Sequence, residues 1–330
     1  MFIELLSTLY GYGVAYRNKQ FDNGSKALVR TTVPVISVGN ISVGGTGKTP
    51  TVQMLVRLLK QQGRSPAIVM RGYKRRSRGV VVVHDGQQMR ASVKDAGDEA
   101  ALHAQTLGVP VVVGEYKADA AVYCAGNINC DVIVVDDGFQ HRTLHRDIDV
   151  VLVDRQTIDR GWLLPRGRLR EPLSSITRAD IVLLHDDVKS DEVVDYCSPN
   201  AIVAGVQQVA QCTGLADIDA FCVSAIANPE RFIATAEKCG AFVRDSKSFA
   251  DHHWYSRADV ARILEKAALG GMTVVTTEKD AVKLSEFLSL FAKANVPLKT
   301  IAVTMQLMDH DNKVHDRLDT LFTNNQTFEQ

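Results

Sequence analysis

The chain has 330 residues, with 38 Lys and Arg balanced by 38 Asp and Glu, 23% of residues charged and 45% hydrophobic. This is the composition of a globular protein of one large or two ordinary domains, and it lacks the basic excess that a nucleic-acid partner would require. The six cysteines (Cys124, Cys130, Cys197, Cys212, Cys222 and Cys239) include no C-x-x-C pair and no His at zinc-finger spacing. They read as reduced, packed thiols rather than as a disulfide framework.

The N-terminal stretch Met1 to Tyr16 is apolar apart from Glu4 and is followed by Arg17, Asn18 and Lys19. As a helix it spans about 24 Å at ~1.5 Å per residue, short of the ~30 Å core of a bilayer. It also lacks the basic start and small-residue cleavage site of a signal peptide. Two placements satisfy this pattern. The helix can lie in a membrane surface, with Tyr10, Tyr12 and Tyr16 near the headgroups, or it can pack on the protein core.

The strongest signal comes next. Val35 to Val38 reads as a short buried strand, Gly39 to Gly47 as a glycine-rich loop, and Lys48-Thr49-Pro50 as the start of a helix whose apolar spacing continues through Lys60. In such a unit glycines let successive N–H groups converge on phosphate oxygens, and the helix N-terminus adds its positive end. The Lys reaches the β- and γ-phosphates, and the Thr hydroxyl ligates Mg²⁺. One position departs from G-x-x-x-x-G-K-[ST], because Ser42 stands where the first Gly belongs. The unit predicts a nucleoside triphosphate held by Ser42, Val43, Gly44, Gly45, Thr46, Gly47, Lys48 and Thr49.

Pro66 to Met70 is a parallel-type strand that ends in Arg71-Gly72-Tyr73-Lys74-Arg75-Arg76-Ser77-Arg78-Gly79. Ligands of open α/β sheets bind beyond the carboxyl ends of the strands, so this basic run stands where a second, anionic substrate belongs. Val80 to His84 is a further strand, and Lys94-Asp95-Ala96-Gly97-Asp98-Glu99 opens a helix running through His103. Acidic residues at a helix start complement its dipole, so Asp98 needs no catalytic role on this ground alone. After a strand at Val109 to Val113 and a helix at Lys117 to Ala125, the apolar run Asp131 to Asp136 ends in Asp136-Asp137-Gly138-Phe139-Gln140-His141. A buried strand ending in carboxylates, downstream of a phosphate loop, is what Mg²⁺ binding beside that loop requires.

Asp147 to Asp154 and Ala179 to Leu184 read as core strands, separated by a loop with Arg166, Arg168 and Arg170 at alternate positions among Pro and Gly. That spacing suits an ordered loop holding anionic groups. From about residue 200 strands and helices alternate again: strand Phe221 to Ala225, helix Pro229 to Lys238, strand Ala241 to Val243, helix Ser256 to Ala268 and strand Thr273 to Thr276. This predicts a smaller α/β unit with a boundary near 205–215. Asp251-His252-His253 packs an acid and two His into one loop. Thr277-Glu278-Lys279-Asp280-Ala281-Val282-Lys283 starts a helix, with Lys279 and Asp280 adjacent and so misspaced for reading guanine. The polar tail after Asp311 is expected to fray.

Taken in order, Gly39-Asn40 with Gly44-Gly45-Thr46-Gly47-Lys48-Thr49-Pro50, Arg71-Gly72-Tyr73, Gly97-Asp98-Glu99 and Asp136 to His141 resemble the tetraacyldisaccharide 4′-kinase family of lipid A biosynthesis. Leu164-Pro165 through Glu171-Pro172, Asn228-Pro229, Asp251-His252-His253 and Thr277 to Lys283 continue the resemblance, which spans residues 1–285. It departs in an N-terminal helix shorter than the family's usual one. The resemblance implies an α/β fold of P-loop NTPase type, a mostly parallel sheet with helices on both faces. It divides the chain into an N-terminal amphipathic helix and linker (1–30), a kinase core (31–210) and a smaller C-terminal α/β subdomain (211–330).

The implied reaction is transfer of the γ-phosphate of ATP, with Mg²⁺, to the 4′-hydroxyl of a tetraacyldisaccharide 1-phosphate. By resemblance Lys48 and Thr49 hold the phosphates and metal, Asp136 and Asp137 stand beside the metal, and Asp98 paired with His252 is the base. Asn40, Arg71, Tyr73, Gln140, His141, Arg168 and Arg170 are then candidates for contacting the lipid substrate. The resemblance also implies work at the cytoplasmic face of a bacterial inner membrane, with no nucleic acid and no obligate protein partner. A GTPase-type metallochaperone would need a guanine-reading motif, and a membrane scaffold would leave the nucleotide loop without a purpose.

Overall fold

The computed structural model describes residues 2–159 and 161–323. The first part of the chain forms α1 (Phe2–Asp22), β1 (Val35–Asn40), α2 (Lys48–Gln61), β2 (Pro66–Met70), β3 (Val81–His84), α3 (Val93–Ala96), α4 (Asp98–Leu107), β4 (Val111–Val113), α5 (Lys117–Asn127), β5 (Val132–Asp136), β6 (Ile148–Val153), α6 (Arg155–Asp159) and β7 (Ile181–His185). Then follow β8 (Ile202–Gln211), β9 (Asp219–Ser224), α7 (Pro229–Lys238), β10 (Phe242–Ser248), α8 (Arg257–Leu269), β11 (Thr273–Thr277), α9 (Glu278–Leu284), α10 (Leu288–Lys293), β12 (Leu298–Met308) and α11 (Lys313–Thr323).

Side chains alternate across a strand, so β1 serves two cores at once. Ile36 and Val38 pack with Val52, Leu55 and Leu59 of α2, while Val35 packs with Ala118 and Ala121 of α5 on the opposite face. β2 and β5 divide in the same way, which places helices on both faces of the sheet. The strands form one sheet in the order β10-β9-β11-β12-β8-β7-β6-β1-β5-β2-β4-β3. Pairing is parallel except for β3 with β4 and β12 with β8. The long β8–β12 pair is the seam where two parallel halves running opposite ways meet. A separate pair of cores sandwiches the second half, around Phe221, Val223 and Val274 on one side and Cys222, Val275 and Phe232 on the other.

Several expectations change in the folded chain. The N-terminal helix continues to Asp22, and Met1 lies outside the described residues. The helix expected from Lys94 to His103 is two helices, because Gly97 between them adopts φ +88° and a Cβ there would sit 3.0 Å from the Tyr73 carbonyl oxygen. The tail does not fray along its whole length. α11 buries Val314, Leu318 and Leu321 in the core of the first half, and Arg317 donates to Asp180 at 3.0 Å; residues 324–330 lie outside the described residues.

Nor are all six cysteines reduced. Cys212, just past β8, and Cys239, at the end of α7, lie 5.0 Å apart at Cα and form a disulfide. Neither spacing nor context foretold it, because β8 and α7 meet only through the sheet. Cys124, Cys130, Cys197 and Cys222 are free.

Candidate active site

β1 delivers the chain to the phosphate loop through Gly39, where a Cβ would lie 2.6 Å from the Phe139 Cβ and 2.9 Å from its backbone nitrogen. Only glycine lets the loops after β1 and β5 approach this closely. The Ser42 departure has a local cause. Ser42 pairs as an antiparallel bridge with Leu169, Val43 N donates to the Arg168 carbonyl at 2.8 Å, and the Ser42 hydroxyl lies 3.0 Å from that of Thr157. A side chain is used there, and the left-handed turns fall instead on Gly44 (φ +119°) and Gly47 (φ +81°). A Cβ on Gly47 would meet Gln208 and Met305 at 2.9 Å. No side chain caps α2, which begins at Lys48. Bare N-terminal amides behind a glycine cradle are a fitting seat for phosphate oxygens.

Charged groups converge on this loop. Lys48 Nζ lies 3.2 Å from Asn40 Oδ1 and 3.5 Å from Asp137 Oδ1. Arg170 donates to both Asp137 oxygens, at 2.9 and 3.2 Å, to the Ser42 carbonyl at 3.1 Å and to Asn40 Oδ1. Burial would raise the Asp137 pKa, but Lys48 and Arg170 outweigh it and hold the carboxyl well below the usual carboxylate range. Asp136, at the buried end of β5, accepts from His103 Nε2 at 3.2 Å; that bond overcomes its burial and keeps it anionic as well. Two carboxylates with the Thr49 hydroxyl are hard oxygen donors of the kind Mg²⁺ takes alongside phosphate oxygens. No larger cluster of metal-ligating side chains occurs among the described residues.

On α4, Asp98 is buried at the first helical position, and its Oδ2 lies 2.8 Å from His252 Nδ1, 154 residues away. Asp98 Oδ1 accepts the Glu99 amide at 2.9 Å. His252 adopts φ +57°, an uncommon backbone conformation for a non-glycine residue, and its ring meets the Tyr73 ring edge-on at 5.0 Å. Burial raises the Asp98 pKa, yet the hydrogen bond and charge of His252, then Lys283 and Lys279, bring it below the ordinary value. The same bond from Asp98, opposed by burial, raises the His252 pKa. The pairing thus favours the ionised carboxylate of Asp98 and the protonated form of the His252 ring. Gly44 to Pro50, Glu99, Lys279, Arg231 and Phe232 are among the residues lining one cleft of about 670 Å³, so the first turn of α4 and the phosphate loop open onto the same space.

The remaining predicted residues divide. Tyr73 is 52% exposed and stands at the Asp98–His252 pair, and Arg71 is exposed nearby. His141 is drawn down to about 4 by burial and by Lys117, with Asp137 opposing and Arg17 and Arg71 adding, so it is a neutral imidazole among cations. Asn40, by contrast, is fully buried, donating to Thr46 at 2.8 Å and accepting from Lys48 and Arg170. Gln140 donates to the Asn40 carbonyl at 2.9 Å and to Glu171 at 3.1 Å. Arg168 clasps the Val43 carbonyl through Nε and Nη2 at 3.0 and 2.8 Å. The side chains of these three are committed to holding the loops.

Three site residues went unread in the sequence. His103 braces Asp136, and His185 Nε2 donates to the Thr46 carbonyl at 2.9 Å. Lys117 Nζ donates to the Asp137 carbonyl at 2.5 Å, and burial, with Asp137 and Asp136 opposing, lowers it to about 8. A lysine opening a helix against its dipole, and a His ending a core strand, were the available signals.

Comparison with known proteins bears on this geometry. Residues 1–323 match the family model described as LpxK, tetraacyldisaccharide-1-P 4′-kinase. The tetraacyldisaccharide 4′-kinase of Chlorobium luteolum (strain DSM 273 / BCRC 81028 / 2530) is 36% identical over 299 residues, covering 84% of each chain. That of Syntrophus aciditrophicus (strain SB) is 37% identical over 321 residues, covering 86% of this chain and 84% of the relative. The crystal structure of the "apo" form of LpxK from Aquifex aeolicus in complex with ATP superposes with a TM-score of 0.79 at 28% identity, covering 97% of this chain and 98% of that one.

Proposed function

Because the chain belongs to the tetraacyldisaccharide-1-P 4′-kinase family, we propose how its own residues carry out that reaction. The protein is an ATP-dependent kinase of lipid A biosynthesis. The observation that carries the residue assignment is the Asp98–His252 pair, which stands directly beside Glu99, a residue lining the cleft of the phosphate loop.

In this reading Asp98 accepts the proton of the 4′-hydroxyl as its oxygen attacks the γ-phosphorus. The new O–P bond forms as the bond to the β-phosphate oxygen breaks, and ADP leaves. His252 orients Asp98 and keeps it ionised, leaving the carboxylate ready to receive a proton. Lys48 and the amides at the start of α2 hold the phosphates, and Arg170 fixes Asp137. Thr49, Asp136 and Asp137 would hold Mg²⁺, which when bound would neutralise charge on the transferring phosphoryl group. Tyr73, Arg71 and the neutral His141 face the lipid substrate, while Asn40, Gln140 and Arg168 support it through the loops they hold. The test is transfer of label from γ-labelled ATP to tetraacyldisaccharide 1-phosphate in detergent micelles with Mg²⁺. Labelled lipid is expected; ATP hydrolysis without it would overturn the reading.

We also propose that the enzyme docks on the cytoplasmic face of the inner membrane, where ATP and a four-chain lipid are both within reach. No helix among the described residues is long and apolar enough to cross a membrane. Instead α1 exposes Phe2, Leu5, Leu9, Tyr12 and Tyr16, while its other side is tied to the site. Ser7 donates to the Leu163 carbonyl at 2.8 Å, Tyr10 to that of Arg170 at 3.0 Å and Arg17 to that of Gln140 at 2.8 Å. Exposed Trp162, stacked under Arg166 at 3.5 Å, extends the apolar face. The same helix thus faces lipid on one side and grips the catalytic loops on the other. Replacing Leu5 and Leu9 together by Ser should weaken binding to anionic phospholipid vesicles roughly tenfold or more in a flotation assay. Undiminished binding would sink the docking proposal. The division into lobes at 31–210 and from 211 is supported by distinct cores, although α11, Val282 of α9 and Met305 of β12 pack into the first.

A further inference from the structure

The Thr277 to Lys283 segment has no part in the reaction as described so far, yet its polar side chains converge on the base. Thr277 caps α9, and Asp280 Oδ2 accepts from the Thr277 hydroxyl at 2.7 Å and from the Ala225 amide at 3.0 Å. The Ala225 carbonyl in turn accepts from the His252 amide at 3.1 Å. Lys279 forms an ion pair with Glu99, next to Asp98. One turn further along, the Lys283 side chain is 1% exposed, with Nζ 2.8 Å from Asp280 Oδ1 and 3.9 Å from Asp98 Oδ2, the oxygen that binds His252. No well-formed hydrogen bond satisfies this ammonium. Burying an ammonium costs several kcal/mol before any pairing, and an i,i+3 partner that is itself fully buried adds a second desolvated charge. A purely structural pair would be served as well by two apolar residues.

We propose that Lys283 is a positioning residue for phosphoryl transfer: its ammonium, held by Asp280, keeps Asp98 anionic and aligned on His252. This rests on Asp98 being the base. The charged and titratable groups around Asp98 are His252 and Asp251 from the 249–255 loop, Lys279, Asp280 and Lys283 from α9, and Glu99 on its own helix. Tyr73 and Lys74 join them from the basic loop, Tyr73 against the His252 ring and Lys74 on the Asp251 carbonyl, and the Tyr255 ring lies 5.5 Å from Lys283 Nζ. An opposite charge about 4 Å from a carboxyl lowers its pKa, so removing Lys283 must raise that of Asp98. The base would then be lost at higher pH, which moves the acid limb of the rate profile upward.

The experiment measures kcat and kcat/KM against pH on micellar tetraacyldisaccharide 1-phosphate for the parent enzyme, Lys283→Met, Lys283→Arg and the double variant Lys283→Met with Asp280→Asn. Asp98→Asn is the control. Lys283→Met is expected to lift the acid limb by about one pH unit or more and to lower kcat, with KM for ATP little changed. Lys283→Arg, which keeps the charge, should hold the limb near its parental position. The double variant leaves no unpaired carboxylate at position 280, so it should recover thermal stability while keeping the shifted limb. A folded variant whose kcat falls equally at every pH, with the limb unmoved, would overturn the proposal and leave Lys283 a structural residue. Retained activity in Asp98→Asn would instead remove the base assignment beneath it.

Discussion

Asp98→Asn is expected to lower kcat by about 10²- to 10⁴-fold with little change in KM for ATP, the range a positioned general base contributes. Asn matches Asp in size, and its single oxygen can accept from either the Glu99 amide or the His252 Nδ1–H but not both, so one hydrogen bond is lost while the fold should persist. What disappears is the group that takes the hydroxyl proton. His252→Ala should cost less, because Asp98 keeps Lys283 and Lys279 nearby as counter-charges. It should also raise the acid limb, since the largest influence lowering the Asp98 pKa is the His252 hydrogen bond. Steady-state kinetics beside thermal unfolding checks both variants, and a folded Asp98→Asn enzyme within tenfold of the parent would refute the assignment.

Lys48→Ala should be nearly as damaging, reducing kcat/KM by about 10²- to 10³-fold, in line with removal of one preorganised charge at a developing negative centre. Lys48 stands between Asn40 Oδ1 and Asp137 Oδ1 at 3.2 and 3.5 Å, poised at the start of α2 where phosphates would draw it away. Without it Asp137 keeps Arg170 and Lys117 as its nearby cations, and the phosphates lose the one side-chain charge on the loop itself. Lys48→Arg should not rescue, because a planar fork replaces a compact ammonium in a space bounded by Asn40 and Asp137. Both variants should still fold, since neither opens a cavity in the core. An alanine enzyme that loses only ATP affinity while keeping kcat would show that Lys48 serves ground-state binding rather than transfer.

The phosphate loop and the Asp136-Asp137 carboxylates were legible because each is a run of consecutive residues acting together. A strand, a glycine turn and a helix start are local, and so are their consequences for phosphate and metal. The core strands β1, β2, β5, β6 and β7 were legible for a related reason, being buried on both faces and written as continuous apolar runs. β8 and β12 escaped because they are only half buried and mix Gln, Thr and Lys among their apolar residues. They stand at the seam between two halves, where neither face is uniformly covered. α11 was hidden in the same way, as a polar tail with three buried positions.

The sequence by itself determined the nucleotide chemistry, the candidate metal donors and, through ordered motifs, the family. Tertiary structure alone decided which distant groups meet. Asp98 and His252 are 154 residues apart and Lys283 lies beyond both, on a helix whose residues read only as a helix start. Cys212 and Cys239 likewise meet only where β8 and α7 are brought together. Such encounters depend on the order of strands in the sheet, which balances burial over the whole chain and leaves no mark on any single stretch of it.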